Sequence, residues 1–236
     1  MASSSSRIST LAEFNAQLDT LQRAADSSSS GQPGRISMGQ IFQLAKDFIN
    51  ASPSDIEALL DSPSHPRRVA AVSIMDFQAR RKATPDGTRR ELYELYLRRH
   101  DRIDSWDLVD RAAPHVVGGY LWDKPREPLY LLAASPHWYE RRTSIVSTWF
   151  FIRRGDLDDT FRIGQILAND PHELVQKAVG GWIREAGKRD DQRLRDYLDR
   201  NAATMPRTAL RYAIESLPPE VRDHYLGRKH DRAPRG

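Results

Sequence analysis

Trp106 and Asp110 stand four residues apart in the segment Asp104-Ser105-Trp106-Asp107-Leu108-Val109-Asp110. On a helix, positions i and i+4 share a face. An aromatic ring beside a carboxylate is chemically useful in two ways. The π-face attracts cations, and the carboxylate stabilises developing positive charge and can orient or deprotonate water. The alternative assigns Trp106 to a core and leaves Asp110 as a solvated or ion-paired surface acid. Asp107, about 100° round the same helix, is expected to pair with Arg111 at i+4.

The segment sits inside a repeat. Arg67-Arg68-Val69-Ala70-Ala71-Val72, Arg141-Arg142-Thr143-Ser144-Ile145-Val146 and Gln176-Lys177-Ala178-Val179-Gly180 each follow a short turn containing Pro or His. Arg207-Thr208-Ala209-Leu210-Arg211 follows Met205-Pro206. Aligning Arg68, Arg142, Lys177 and Arg211 gives spacings of 74, 35 and 34 residues, the first being two periods of 37. The Trp106 segment lies one period beyond Arg68. Such a period, with two helices per unit, marks a HEAT-like α-solenoid, which buries one face and offers a curved face lined by one helix of each unit.

The elements that must position these residues are all helical. Leu11, Phe14, Leu18 and Leu21 recur at helical spacing, and Phe42, Ala45 and Phe48 do so up to Asn50. Ser52-Pro53-Ser54-Asp55 opens a capped helix that Ser62-Pro63 stops. Helices marked by Val69, Val72 and Met75, and by Leu92, Leu95 and Tyr96, follow. Asp104 or Ser105 can cap the Trp106 helix, which Pro114 limits. Gly118-Gly119 and Pro125 bracket a turn. Further helices form around Leu129 and Leu132, from Trp138 to Arg154, at Phe161 to Leu167, and through Leu174, Ala178 and Trp182. Two more lie around Leu194–Leu198 and Thr208–Ser216. No strand alternation is visible, so the fold class is all-α. The expected organisation is a Ser-rich N-terminal segment with one helix (1–37, with 2–6 and 26–37 flexible), a HEAT-like domain (38–226) and a basic, disordered tail (227–236).

Composition narrows the function. The 236 residues carry 36 Lys and Arg against 32 Asp and Glu, a formal charge of +4. Arg outnumbers Lys thirty to six, which suits a polyanion partner or a GC-rich genome equally. There are no cysteines, so disulfides, Cys zinc sites and Cys nucleophiles are excluded. No apolar run approaches 18 residues and no secretory leader is evident, so no membrane partner and a cytoplasmic location are expected. The histidines form no HExxH, and phosphate-loop and serine-hydrolase motifs are absent. No metal and no cofactor are expected, and a monomer is the simplest state.

Three segments together resemble one family. The Trp106–Asp110 stretch is similar to the W-D-x-V-D segment of the bacterial AlkD-type DNA alkylation repair enzymes, which are HEAT-repeat DNA glycosylases. Trp138-Tyr139-Glu140-Arg141-Arg142-Thr143-Ser144-Ile145 resembles the next marker of that family, W-x-x-R-A-A-I. Lys177-Ala178-Val179-Gly180-Gly181-Trp182-Ile183-Arg184-Glu185 resembles its K-A-I-G-W-x-L-R-E segment. The resemblance runs from about Gly34 to Leu226.

The resemblance implies an α-solenoid whose concave face cradles duplex DNA carrying alkylated bases. It implies hydrolysis of the N-glycosidic bond of N3- or N7-alkylated, positively charged purines, without need to draw the base into a pocket. Asp110 matches the catalytic acid that positions water, and Trp106 an aromatic that packs on the backbone beside the lesion. Arg142 and Arg184 match phosphate-holding cations. The repeat adds Lys177, Arg68 and Arg211 as phosphate contacts. The second family aromatic falls at Gly181 here. Trp182, one residue later, either reaches DNA through a local shift or belongs to the core. Two rivals keep the scaffold without the reaction: a non-catalytic DNA binder, motivated by Gly181, and a protein–protein scaffold.

Overall fold

In a computed structural model, residues 10–27 and 34–228 are described. Among them there are helices and no strands. The chain divides into two compact units between Tyr120 and Leu121. The division falls in the turn that Gly118-Gly119 and Pro125 mark in the sequence.

The first unit holds α1 (Leu11–Ser27), α2 (Met38–Asp47), α3 (Pro53–Asp61), α4 (His65–Arg80), α5 (Asp86–Arg98) and α6 (Trp106–Ala112). A short 3-10 turn (His100–Arg102) precedes α6, and a π-helical stretch (Ala113–Gly118) follows it. Capping sets the first boundaries. Ser37 and Gln40 form a capping box at α2, and Ser52 and Asp55 do the same at α3, with Pro53 at the first helical position. Two rows result: α3 packs on α5, while α2, α4 and α6 pack in order. Helix α4 is the centre of the unit. Val69, Ala70, Ala71, Val72, Ile74 and Met75 are all buried, because α4 is covered on several sides rather than along one stripe.

Helix α1 is tied to α4 as well as to α2. Arg67 donates to Asn15 Oδ1 at 3.0 Å and to Asp19 Oδ1 at 2.6 Å, and Phe14 meets Phe48 at 5.3 Å between ring centroids. The two ends of the span 26–37 make defined contacts. Asp26 and Ser27 complete α1, Gly34 N donates to Asp26 Oδ1, and Gln22 donates to the Gly34 carbonyl. Residues 2–6, 28–33 and the tail from Lys229 onward lie outside the described residues.

The second unit contains α7 (Glu127–Ala133), α8 (Trp138–Ser147), α9 (Trp149–Ile152), α10 (Asp158–Ile166), α11 (Glu173–Gly187), α12 (Asp191–Asn201), α13 (Arg207–Ile214) and α14 (Pro219–Gly227). Helices α7, α10 and α12 pack in order as one row, and α8, α11 and α13 as the other. This is the stacking of helix pairs that a HEAT-like array requires. Polar bonds fix the rows: Ser144 Oγ to the Leu129 carbonyl (2.6 Å), Tyr197 OH to the Gly164 carbonyl (2.9 Å), and a reciprocal Gln165–Asn201 amide pair.

Two helices differ from the sequence expectation. The helix expected from Trp138 to Arg154 breaks at Thr148. Ser147 and Thr148 hydroxyls donate back to the Thr143 and Ile145 carbonyls, and such back-bonding bends a helix. Pro114 does not end the chain's helical run. It has no N–H to complete an i→i−4 bond, and the register widens instead, with Gly119 N donating to the Pro114 carbonyl.

The adjacent glycines of α11 have opposite surroundings. A Cβ on Gly180 would lie 2.3 Å from the Ala209 carbonyl oxygen and 2.6 Å from Tyr212 Cβ, so α13 approaches α11 at that glycine. A Cβ on Gly181 would meet nothing within 4 Å. Gly180→Ala should therefore destabilise the fold by about 1–3 kcal/mol through overpacking against backbone. Gly181→Ala should stabilise it by about 0.5–1 kcal/mol through helix propensity. Urea unfolding midpoints at constant m-value measure both, and a shift of the same sign for the two would refute this packing.

Candidate functional site

Helix α6 has seven residues, with Trp106 first and Asp110 fifth. Leu108, Val109 and Ala112 are buried against α4 and the π-helical stretch. That burial turns the opposite face outward, and Trp106 is 52% exposed. Trp106 is therefore not a core residue. Asp110, on the same face, is partly exposed. In α8, α11 and α13 the fifth residue is Arg142, Lys177 and Arg211, and in α4 the fourth is Arg68. In α6 alone among these helices, an acid occupies the place the others give to a cation.

The pairing expected between Asp107 and Arg111 is not formed. Asp107 instead accepts from His65 Nε2 at 2.8 Å and from Ser105 Oγ at 2.7 Å. Burial raises the Asp107 pKa, but the bonds from Ser105 and His65 outweigh it and hold the carboxyl below its ordinary value. Ser105 occupies the N-cap position of α6, yet its hydroxyl goes to Asp107 and makes no cap bond to the backbone.

Arg111 turns the other way, into the first unit. Its guanidinium lies over the rings of Phe42 and Phe77, at 4.4 and 4.6 Å from their centroids. Its Nε donates to Ser73 Oγ at 3.1 Å, and its Nη2 meets Asp76 Oδ2 at 3.1 Å as a charge contact without hydrogen-bond alignment. Burial pushes the Arg111 pKa down, and the Asp76 carboxylate opposes that shift. Asp76 has no exposed surface. Arg80 Nε and His115 Nδ1 reach its other oxygen at 2.8 and 3.0 Å. This cluster joins α4, α6 and the π-helical stretch. Its sequence signal was an acid four residues after Val72 on an otherwise apolar stretch of α4.

The cations of the second unit are largely engaged. Arg142 is 6% exposed, and its Nη1 donates to the Leu174 carbonyl at the start of α11. Arg184 pairs with Glu215, just past α13, and with Glu185. Lys177 pairs with Glu173 at 2.8 Å, a contact that raises the lysine pKa. Arg211 is exposed. The Trp182 indole N–H donates to the Val146 carbonyl of α8 at 3.0 Å, which fixes a half-buried ring between helices. In the first unit Arg68 is directed to Asp104 Oδ1 (2.5 Å) and the Arg102 carbonyl (3.1 Å), so its partners are protein groups on the approach to α6.

A model of the family described as DNA alkylation repair enzyme matches residues 34–217. The chain belongs to the DNA alkylation repair enzyme family. The match covers α2 to α13 and therefore both units. Membership gives this family member a role in the repair of alkylated DNA, with DNA as its partner. No curated protein matches the chain. Among the described residues, no helix is long and apolar enough to cross a membrane, and no three His, Asp or Glu side chains group as metal ligands.

The buried carboxylate yields a direct test. Asp76→Asn keeps the shape of the side chain but leaves Arg111 with no counter-charge in its aromatic slot. Removing one partner of a buried ion pair costs about 3–5 kcal/mol. Thermal or urea unfolding of Asp76→Asn should show a loss of that size. A loss under about 1 kcal/mol would mean that the cluster is solvated enough to do without its acid.

Proposed function

We propose that this DNA alkylation repair enzyme is a glycosylase that hydrolyses the N-glycosidic bond of N3- or N7-alkylated purines in duplex DNA. The observation that carries the reading is the outward face of α6, where a half-exposed tryptophan and a carboxylate stand one helical turn apart.

The chemistry needs little more than these groups. Alkylation at N3 or N7 gives the purine a positive charge, so it leaves as a neutral base. As the C1′–N bond breaks, the sugar becomes oxocarbenium-like, as in other glycoside hydrolyses. The Asp110 carboxylate stabilises that charge and orients water for attack on C1′, and the proton lost by the water passes to Asp110 or to solvent. The products are the free base and an abasic site. The Trp106 ring packs on the backbone beside the lesion. Arg184, Lys177 and Arg211 are the proposed phosphate contacts, with Trp182 on the same helix as the first two; Arg142, buried and bonded to the Leu174 carbonyl, is proposed to act through the start of α11 that it holds. Such contacts position the duplex without reading sequence and make affinity fall with salt. Arg68 is proposed to act on DNA only through the α6 approach that it holds.

A second reading is a non-catalytic binder of damaged DNA. The bare position at Gly181 favours it, because open space stands where an aromatic group would complete the resemblance.

Release of 7-methylguanine and 3-methyladenine from methylated duplex decides between them. Asp110→Asn should lower release by about 10²-fold or more while duplex affinity at fixed salt stays within about twofold. Equal release by the variant and the wild type would remove Asp110 from the reaction. Salt-sensitive binding with no release by the wild type would establish the second reading.

A further inference from the structure

We infer that His65 is a positioning residue for the Trp106–Asp110 face, acting through Asp107. The inference rests on the proposed reaction at that face.

Helix α6 is too short to hold itself. Seven residues are well below the length at which an isolated helix persists. Its first turn also lacks a side-chain cap, because Ser105 spends its hydroxyl on Asp107. The far end of α6 is anchored by Arg111 in the Phe42–Phe77 slot and by the continuing π-helical register. At the near end, where Trp106 stands exposed, Ile103 and Leu108 supply the apolar packing and the polar side needs its own hold. That side is held by the first turn of α4. His65 Nε2 donates to one oxygen of Asp107 while Ser105 holds the other, so the carboxylate is fixed at both atoms. One turn along α4, Arg68 binds Asp104 and the Arg102 carbonyl and fixes the strand of chain that enters α6.

Asp107 lies between Trp106 and Asp110 in sequence, about 100° round the helix from Trp106. Burial of Leu108, Val109 and Ala112 sets the coarse rotation of the helix, and a pull on the Asp107 side chain adjusts it, and with it the direction of both groups on the outward face. His65 is 45% exposed at its side chain and Asp107 24%. A pair so exposed contributes little to global stability. Its contribution is to geometry, and geometry at a reacting centre is sensitive to displacements on the order of 1 Å.

The test uses the full chain labelled with 5-fluorotryptophan, the Trp106 signal being assigned by its loss in Trp106→Phe. His65→Gln, Asp107→Asn, the double variant and His65→Lys are compared with wild type. The readouts are the Trp106 19F resonance, the melting temperature and the single-turnover rate of base release. Each single variant should shift or broaden the Trp106 resonance and slow release about tenfold, with the melting temperature within about 2 °C. The double variant should match the singles, since both remove one contact. His65→Lys, which restores a hydrogen-bond donor within reach of Asp107, should recover most of the rate.

An unchanged Trp106 resonance in both single variants overturns the inference. So does a shifted resonance with an unchanged rate, or a double variant whose losses multiply. If wild type releases no base, the glycosylase reading fails. The fluorine signal then decides the positioning alone: a common shift in the singles and the double upholds it, and an unchanged signal overturns it.

Discussion

A carboxylate with no exposed surface must be neutralised, and in this protein that requirement organises the first unit. Asp76 gathers Arg80 from its own helix, Arg111 from α6 and His115 from the π-helical stretch. The desolvation cost of a buried acid is large, and it is offset only when the cations stay close. The two further segments, α6 and the π-helical stretch, are therefore held to α4. Arg111 is next to Asp110 in sequence, so the inward anchoring of one side chain dictates the outward direction of the next. The exposed face of α6 follows from what its other face must satisfy.

The first turn of α4 completes that arrangement from the opposite end. Within four residues, His65 and Arg68 take hold of α6 and its approach, and Arg67 takes hold of α1. Three neighbouring polar side chains thus link three helices, while Val69, Ala70, Ala71, Val72, Ile74 and Met75 of α4 are packed in the interior. The N-terminal helix, remote in sequence from Trp106, is tied to the same turn that fixes it.

The all-α class, the repeat and the family were legible because they depend on periodicity and on short local motifs. The caps at Ser52 and the turn at Gly118-Gly119 were legible for the same reason. The partner of Asp107 was not. Helical spacing offered Arg111, but that guanidinium found a deeper site between two phenylalanines, which only packing reveals. Arg68 and Arg142 were read as surface cations from their place in the repeat. The structure turns both toward backbone carbonyls of neighbouring segments. A repeat preserves the position of a residue in its helix, not the partner that it meets. The exposure of Trp106 was similarly undecidable from spacing, since an aromatic at that register suits a core as well as a surface.

The contrast between Gly180 and Gly181 bears on how such an enzyme changes over time. Where α13 presses on Gly180, nearly every replacement disturbs the packing of two helices. One residue on, a Cβ meets nothing within 4 Å, so the first atom of a side chain is accommodated without moving the backbone. Glycine codons lie one base change from those of small, acidic, basic and, in one case, indole-bearing residues. Selection therefore has at Gly181 a place where α11 can gain a side chain in a single step, beside a neighbour where almost no step is open.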